Sequence, residues 1–179
     1  MRRSRQGKKC DGAPGYRNLA DLPKRFCRDQ IMERIEPRML SQTLSQILFA
    51  CSAAILLTLG SVHLYLTYFH TSFEPRDATL RAHMDATHPR LTRETTVWRA
   101  WIGFNASLSL GVMLFGLVYG YLAVWQNTML VQSGFLLGLG MLVLVAYVVL
   151  ARRYWFRVPL IGCTIALLLY TAGALVRQV

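Results

Sequence analysis

Charge is what this chain has least of, and it is missing in blocks. Only 16% of the 179 residues are charged while 54% are hydrophobic, against roughly 25% charged in a soluble domain. Ile47–Tyr68 runs 22 residues without an ionised side chain, Trp101–Trp125 runs 25, Met129–Ala151 runs 23 and Leu160–Val176 runs 17. A soluble bundle would need a polar face on each helix, and these segments have none. No acid follows Glu94 and no span holds a carboxylate, which argues against an ion pump. The four cysteines form no C-x-x-C and no Cys/His ligand spacing, so neither a disulfide framework nor a zinc site is expected. His83 and His88 are five apart with no Glu between them, and only His63 of the four histidines lies inside an apolar run. That excludes an H-E-x-x-H metal motif and gives no paired axial ligands for haem. No metal and no cofactor is expected. The sequon Asn105-Ala106-Ser107 lies within a span, where glycosylation is not expected.

What is present is length in the right places. A bilayer core of about 30 Å needs roughly 20 helical residues, and lipid offers backbone groups no partner outside a helix. The chain therefore reads as an all-α, integral membrane four-helix bundle with spans at about 47–68, 101–125, 129–151 and 160–176. The first apolar run begins after more than forty residues and exceeds a secretory h-region in length, so it is a span and not a signal peptide.

Composition changes abruptly near Arg38. Residues 1–38 hold 11 of the 20 Lys+Arg, all three lysines and five of the nine acids. The boundary is drawn at 43/44, with a basic tail over 1–43, disordered to partly helical, and a four-span domain over 44–179. Within the tail, 1–25 reads as disordered, and Phe26–Glu36 reads equally as a short surface helix ended by Pro37 or as a poorly structured extension. The net charge of +11 fits anionic headgroups and membrane topology better than nucleic acid. Counting the whole tail sets 12 cationic residues against the 8 of the first and third loops, and counting from Lys24 sets 6 against 8. The two counts orient the protein oppositely.

The only sizeable loop, His70–Val97, holds three histidines and the last four acids. Pro75 and Asp77 predict a turn and an N-cap for a helix over Ala78–His88, with Leu80 and Met84 on one apolar face. Thr92 is expected to cap the second span helix, placing Glu94 in its first turn. Gln126–Thr128 reads as a tight hairpin and Arg152–Pro159 as a short cationic loop. Gly103, Ser107 and Gly111 are four apart, followed by Gly116 and Gly120, and Gly134 and Gly138 repeat the spacing. Such small-xxx-small stripes let helices approach closely in lipid, within one chain or in a homo-oligomer.

Polar residues inside the spans fall at one depth. His63 lies five residues before Tyr68, Asn105 four after Trp101, Tyr147 five before Arg152 and Thr164 five after Pro159. All four sit about 6–8 Å in from the side of the large loop. Intramembrane polar groups are costly and tend to face an interior or a wet cavity, so the layer predicts a pocket beneath the loop. The second helix adds a stripe through Glu94, Trp98, Trp101 and Asn105, and Arg99, Arg152 and Arg153 stand at the mouth. The alternative is plain: an intramembrane His is often a packing residue, and Tyr147 an interfacial anchor.

The strings FEPRD (Phe73–Asp77), LTRETTVWRAWIGFNASLSLG (Leu91–Gly111), FGLVYGYLA (Phe115–Ala123) and ARRYWFRVPL (Ala151–Leu160) resemble a family of small, uncharacterised bacterial four-span membrane proteins. The likeness covers residues 45–176. It implies the four-span architecture and the bacterial inner membrane, and no activity. Members of that family often carry a His where this chain has Leu108, a departure that weakens any proton-transfer role built on that position.

Three readings follow. The residues favour a protein that binds membrane lipids or a small amphipathic ligand in the pocket without catalysis. An enzyme using His63 as proton carrier, with Glu94 as carboxylate and Asn105 as orienting donor, is the second. A subunit of a larger membrane assembly is the third; four spans without repeats or broken helices argue against a complete carrier.

Overall fold

Apolar runs of this length have one way to satisfy their backbone away from water, and the chain takes it. A computed structural model of the protein describes residues 22–176, with side chains from residue 39 onward. Among the described residues there are six α-helices and no strand: α1 (Leu22–Phe69), α2 (Ala78–Ala86), α3 (Val97–Trp125), α4 (Asn127–Gln132), α5 (Gly134–Tyr154) and α6 (Arg157–Val176). A 3-10 turn, Thr71–Phe73, stands between α1 and α2. The chain divides into two units, Met1–Met39 and Leu40–Val179, and the second contains the apolar stretches. Four segments are long and apolar enough to cross a membrane: Met39–Phe69, Val97–Trp125, Gly134–Tyr154 and Arg157–Val176.

Several boundaries differ from the sequence expectation, each for a local reason. Pro37 does not end a short helix but lies within α1, where its ring and missing N–H cost the helix about 3 kcal/mol. The expected disorder of the tail falls largely on residues outside those described. The third span does not start at Met129, because Ser133 caps a new helix: its hydroxyl accepts from Leu136 N at 3.2 Å. What reads as a tight hairpin is therefore a six-residue helix, α4, between two turns. The third loop shrinks to Trp155 and Phe156, since Arg152 and Arg153 form the last turn of α5, where cations suit the dipole.

The long helices alternate in direction. Ser45 and Ser52 of α1 donate to the carbonyls of Gly173 (2.8 Å) and Ala166 (2.7 Å) in α6, a descending pairing that makes α1 and α6 antiparallel. Tyr119 of α3 donates to Leu136 O of α5 at 2.8 Å, and Tyr170 of α6 donates to Leu137 O at 3.2 Å. So α5 lies between α3 and α6 and closes a four-helix ring. The core between them is Phe49, Leu56, Tyr119, Leu144 and Tyr170, with the Phe49 ring edge-on to Tyr170 at 4.9 Å. The outer surface is as apolar as the core: Leu114, Leu142 and Leu168 are each more than 60% exposed. That distribution suits lipid and not water.

The small residues that let helices touch are not the regular stripe of the sequence. A Cβ on Gly116 would stand 2.8 Å from Leu57 N and 2.9 Å from Ala53 O, and one on Gly60 would stand 3.0 Å from Ser109 O. These two positions bring α1 and α3 into backbone contact. Gly103, Gly134 and Gly138 have nothing within 4 Å, so periodicity marked candidates of which only some face a neighbour. Gly116→Ala is expected to lose about 1–3 kcal/mol from overpacking against backbone that cannot move, read by denaturant titration in detergent. Gly103→Ala should be neutral or slightly stabilising through helix propensity. Equal effects at the two sites would show that the α1–α3 approach does not govern packing.

Candidate functional site

The loop-side end of the bundle is built by short-range capping. Asp77 caps α2, its Oδ1 accepting from Thr79 N at 2.8 Å and from the Thr79 hydroxyl at 2.7 Å. The hydroxyl bond first, and the amide second, hold the Asp77 carboxyl below its ordinary range. Thr96, not Thr92, caps α3, its hydroxyl accepting from Arg99 N at 3.2 Å. Thr92 instead accepts from Glu94 N at 3.1 Å inside the loop, so Glu94 precedes the helix. Threonine three residues before the amide is the better cap, and the choice between the two lies in the loop path rather than in local pattern.

Capping sets α2 against the start of α3. The Arg81 guanidinium lies 3.7 Å over the Trp98 ring, a cation–π contact, and Arg81 Nη1 pairs with Asp85 Oδ2 at 3.0 Å one turn on. One turn into α3, Trp101 Nε1 donates to Phe73 O at 3.2 Å and ties the 3-10 turn to the helix. The Phe73 ring in turn lies 4.6 Å from the His63 ring.

Beneath them is the buried-side pair. Asn105 Nδ2 donates to Trp101 O at 2.9 Å, so Oδ1 is the acceptor that faces His63. His63 Nε2, at 3.2 Å from Oδ1, must then carry the proton and leave Nδ1 as the free lone pair. An amide cannot take up that proton, so Asn105 orients the imidazole and does not relay from it.

Above the pair lies a hollow of about 420 Å³. Its walls are Thr67–Phe69 at the end of α1, Phe73 and Glu74 of the connection, Arg81 of α2, and Trp98 and Ile102 of α3.

From the expected set the structure joins His63, Asn105 and Trp101 through hydrogen bonds and the Phe73 ring, places Trp98 alone in the lining of the hollow, and separates the others. Tyr147 sits at the α3–α5 contact, its hydroxyl 3.5 Å from where a Gly111 Cβ would stand and its ring 6.4 Å from Trp155. Thr164 donates to Leu160 O of its own helix at 2.7 Å. Equal depth on four helices does not mean equal direction around their axes, and only two of the four polar residues of the layer meet. Arg99, Arg152 and Arg153 are exposed. Glu94 is exposed, and its carboxylate makes no hydrogen bond or ion pair among the described residues. The sequence reading missed Arg81, Glu74, Phe73 and Tyr68; the i, i+4 pairing of Arg81 with Asp85 was the one signal that pointed to an ordered Arg81.

No family model, curated protein or solved structure matches the chain.

Because Asp77 holds α2 in register, Asp77→Ala is expected to speed amide exchange across Ala78–Ala86, while Asp77→Ser retains most protection. A depressed folded pKa means that the carboxylate stabilises the cap above the ordinary carboxylate range and loses that effect as pH falls through the folded value. Exchange in α2 should therefore accelerate on acidification in the parent protein and be indifferent to pH in Asp77→Ala after correction for the intrinsic rate. Parallel pH profiles would remove Asp77 from this role.

Proposed function

We propose that the chain is an integral protein of the bacterial inner membrane whose four-helix bundle binds a small amphipathic, lipid-like ligand beneath the loop 70–97. The observation that carries this reading is the hollow itself, placed where the apolar part of α1 ends and roofed by Arg81 on Trp98. A ligand there meets the Arg81 guanidinium, the Glu74 carboxylate, the His70 imidazole and several aromatic faces at the end of a hydrophobic bundle. A concavity where several polar groups converge beside aromatic faces is a form that small-molecule sites take. The likeness of the loop and second span to small bacterial four-span proteins supports the same membrane.

Catalysis is less well served. The alternative, His63 working with Glu94 or Asn105, finds one of its two partners: His63 meets Asn105, while Glu94 lies exposed in the loop before α3. The Asn105 amide oxygen can accept from a protonated imidazole but adds no countercharge to it.

Binding of a spin-labelled lysophospholipid to the full chain in detergent tests the reading. Arg81→Ala and Trp98→Ala are each expected to weaken it by about ten-fold, the size of a desolvated cation–π or charged contact. Glu94→Gln and Tyr147→Phe should bind as the parent does. If all four variants bind alike, the hollow is not the site.

A further inference from the structure

A second recess adjoins the hollow. A groove of about 460 Å³ runs along the outer side of the α1–α3 contact, lined by Leu64, Tyr65 and Met113 with Ser61 at its far end. It shares Tyr68 and Phe69 with the hollow. The Ser61 hydroxyl donates to Leu57 O at 2.8 Å, which leaves the phenols of Tyr65 and Tyr68 as the polar groups of an otherwise apolar groove. From Tyr68 back to Ser61 it follows α1 for about 10 Å toward the middle of the span.

The hollow is of opposite character. Glu74 and Arg81 both line it, together with His70, whose Nδ1 is paired with the Ser72 hydroxyl at 2.6 Å. The Glu74 carboxylate is exposed and makes no hydrogen bond or ion pair among the described residues. Arg81 uses Nη1 for Asp85 and keeps further N–H donors of its planar fork.

We infer that hollow and groove are one site for a zwitterionic phospholipid, with its phosphate on Arg81, its ammonium at Glu74 and one acyl chain along Tyr65, Leu64 and Met113. This rests on the proposed ligand-binding role of the hollow. The order of polarity carries the assignment: the charged part lies past the last residue of α1, and the apolar part runs inward along the span, as a lipid lies in a leaflet. A wholly apolar ligand would leave two charges of opposite sign uncovered. An anionic headgroup alone would face the Glu74 carboxylate across the same hollow, and like charges in one site repel. A soluble zwitterion would leave the groove unfilled.

The test uses the full chain in detergent with equimolar phosphatidylethanolamine and phosphatidylglycerol, retained lipid being counted by native mass spectrometry. The parent is expected to retain phosphatidylethanolamine over phosphatidylglycerol by about ten-fold, the worth of one charge-assisted contact. Glu74→Gln should abolish the preference while still retaining lipid, and Arg81→Ala should weaken both. Ser61→Trp puts bulk into the groove from an exposed position and should lower retention of both lipids, with Leu142→Trp, exposed on α5 and outside both recesses, as the unchanged control. Water-soluble glycerophosphoethanolamine should displace bound lipid only at large excess. Equal retention of the two lipids, with Arg81→Ala and Ser61→Trp still effective, would overturn the zwitterionic assignment and leave the amphiphile site. Displacement by glycerophosphoethanolamine at parity would overturn the role of the groove. Retention indifferent to Arg81→Ala and Ser61→Trp alike would overturn the site altogether.

Discussion

The backbone contact between α1 and α3 is the constraint on which the site depends. Lipid supplies no hydrophobic force to press helices together, so they associate by van der Waals contact and hydrogen bonds. Contact of this kind needs positions without a side chain. Gly116 against Ala53 and Leu57, and Gly60 against Ser109 and Met113, provide two of them along one antiparallel line. The next step on that line is His63 opposite Asn105. Their side chains are short, and they meet because the backbones beneath them already touch. The same line forms one wall of the apolar groove, where Met113 faces the helix that carries Leu64 and Tyr65. Spread α1 from α3, and the pair, the floor of the hollow and the groove are lost together.

Ten hydroxyls of this bundle fall into two sorts. Thr58, Ser61, Thr67, Ser109, Thr164 and Thr171 donate to the carbonyl one turn back in their own helix. That arrangement hides a hydroxyl in lipid and carries no information about neighbours. Ser45, Ser52, Tyr119 and Tyr170 reach across to other helices, each contact adding on the order of 1 kcal/mol between helices. Both sorts are complete in themselves and offer nothing to a ligand. The loop-side end differs, because Glu74 is unpaired and Arg81 is only partly used. The distinction between a satisfied polar residue and an available one therefore locates the site better than polarity does.

That distinction also explains what could be read in the sequence. The four spans were legible because a lack of charge over some 20 residues has few other meanings. Asp77 was legible as a cap because the cap is made by Asp77 and Thr79 alone. The convergence of His63 with Asn105, and of Trp98 with Trp101, followed from their depth and their spacing on one face of α3. Thr164 and Tyr147 shared the depth and not the direction, and direction around a helix axis is fixed by partners elsewhere in the chain. Gly103 and Gly138 failed for the same reason: spacing marks a stripe, while contact requires a facing helix. Of Arg81 only the local pairing with Asp85 one turn on was legible. Its place over Trp98 comes from the return of α2 onto α3 through a loop without periodicity, and the two residues are 17 positions apart.

The hollow stays open because each wall is held by a contact that does not fill it. Trp101 draws the 3-10 turn inward through the Phe73 carbonyl, which leaves the Phe73 ring to cover His63 and not the space above. Arg81 is held at the roof by Trp98 and Asp85 and so cannot fold down onto Glu74. Glu74 makes no ion pair although a cation lines the same hollow. With Arg81 held on Trp98 and Asp85 and Glu74 unpaired, both charges stay available in one hollow, and a molecule bearing the two complementary charges is what that arrangement fits.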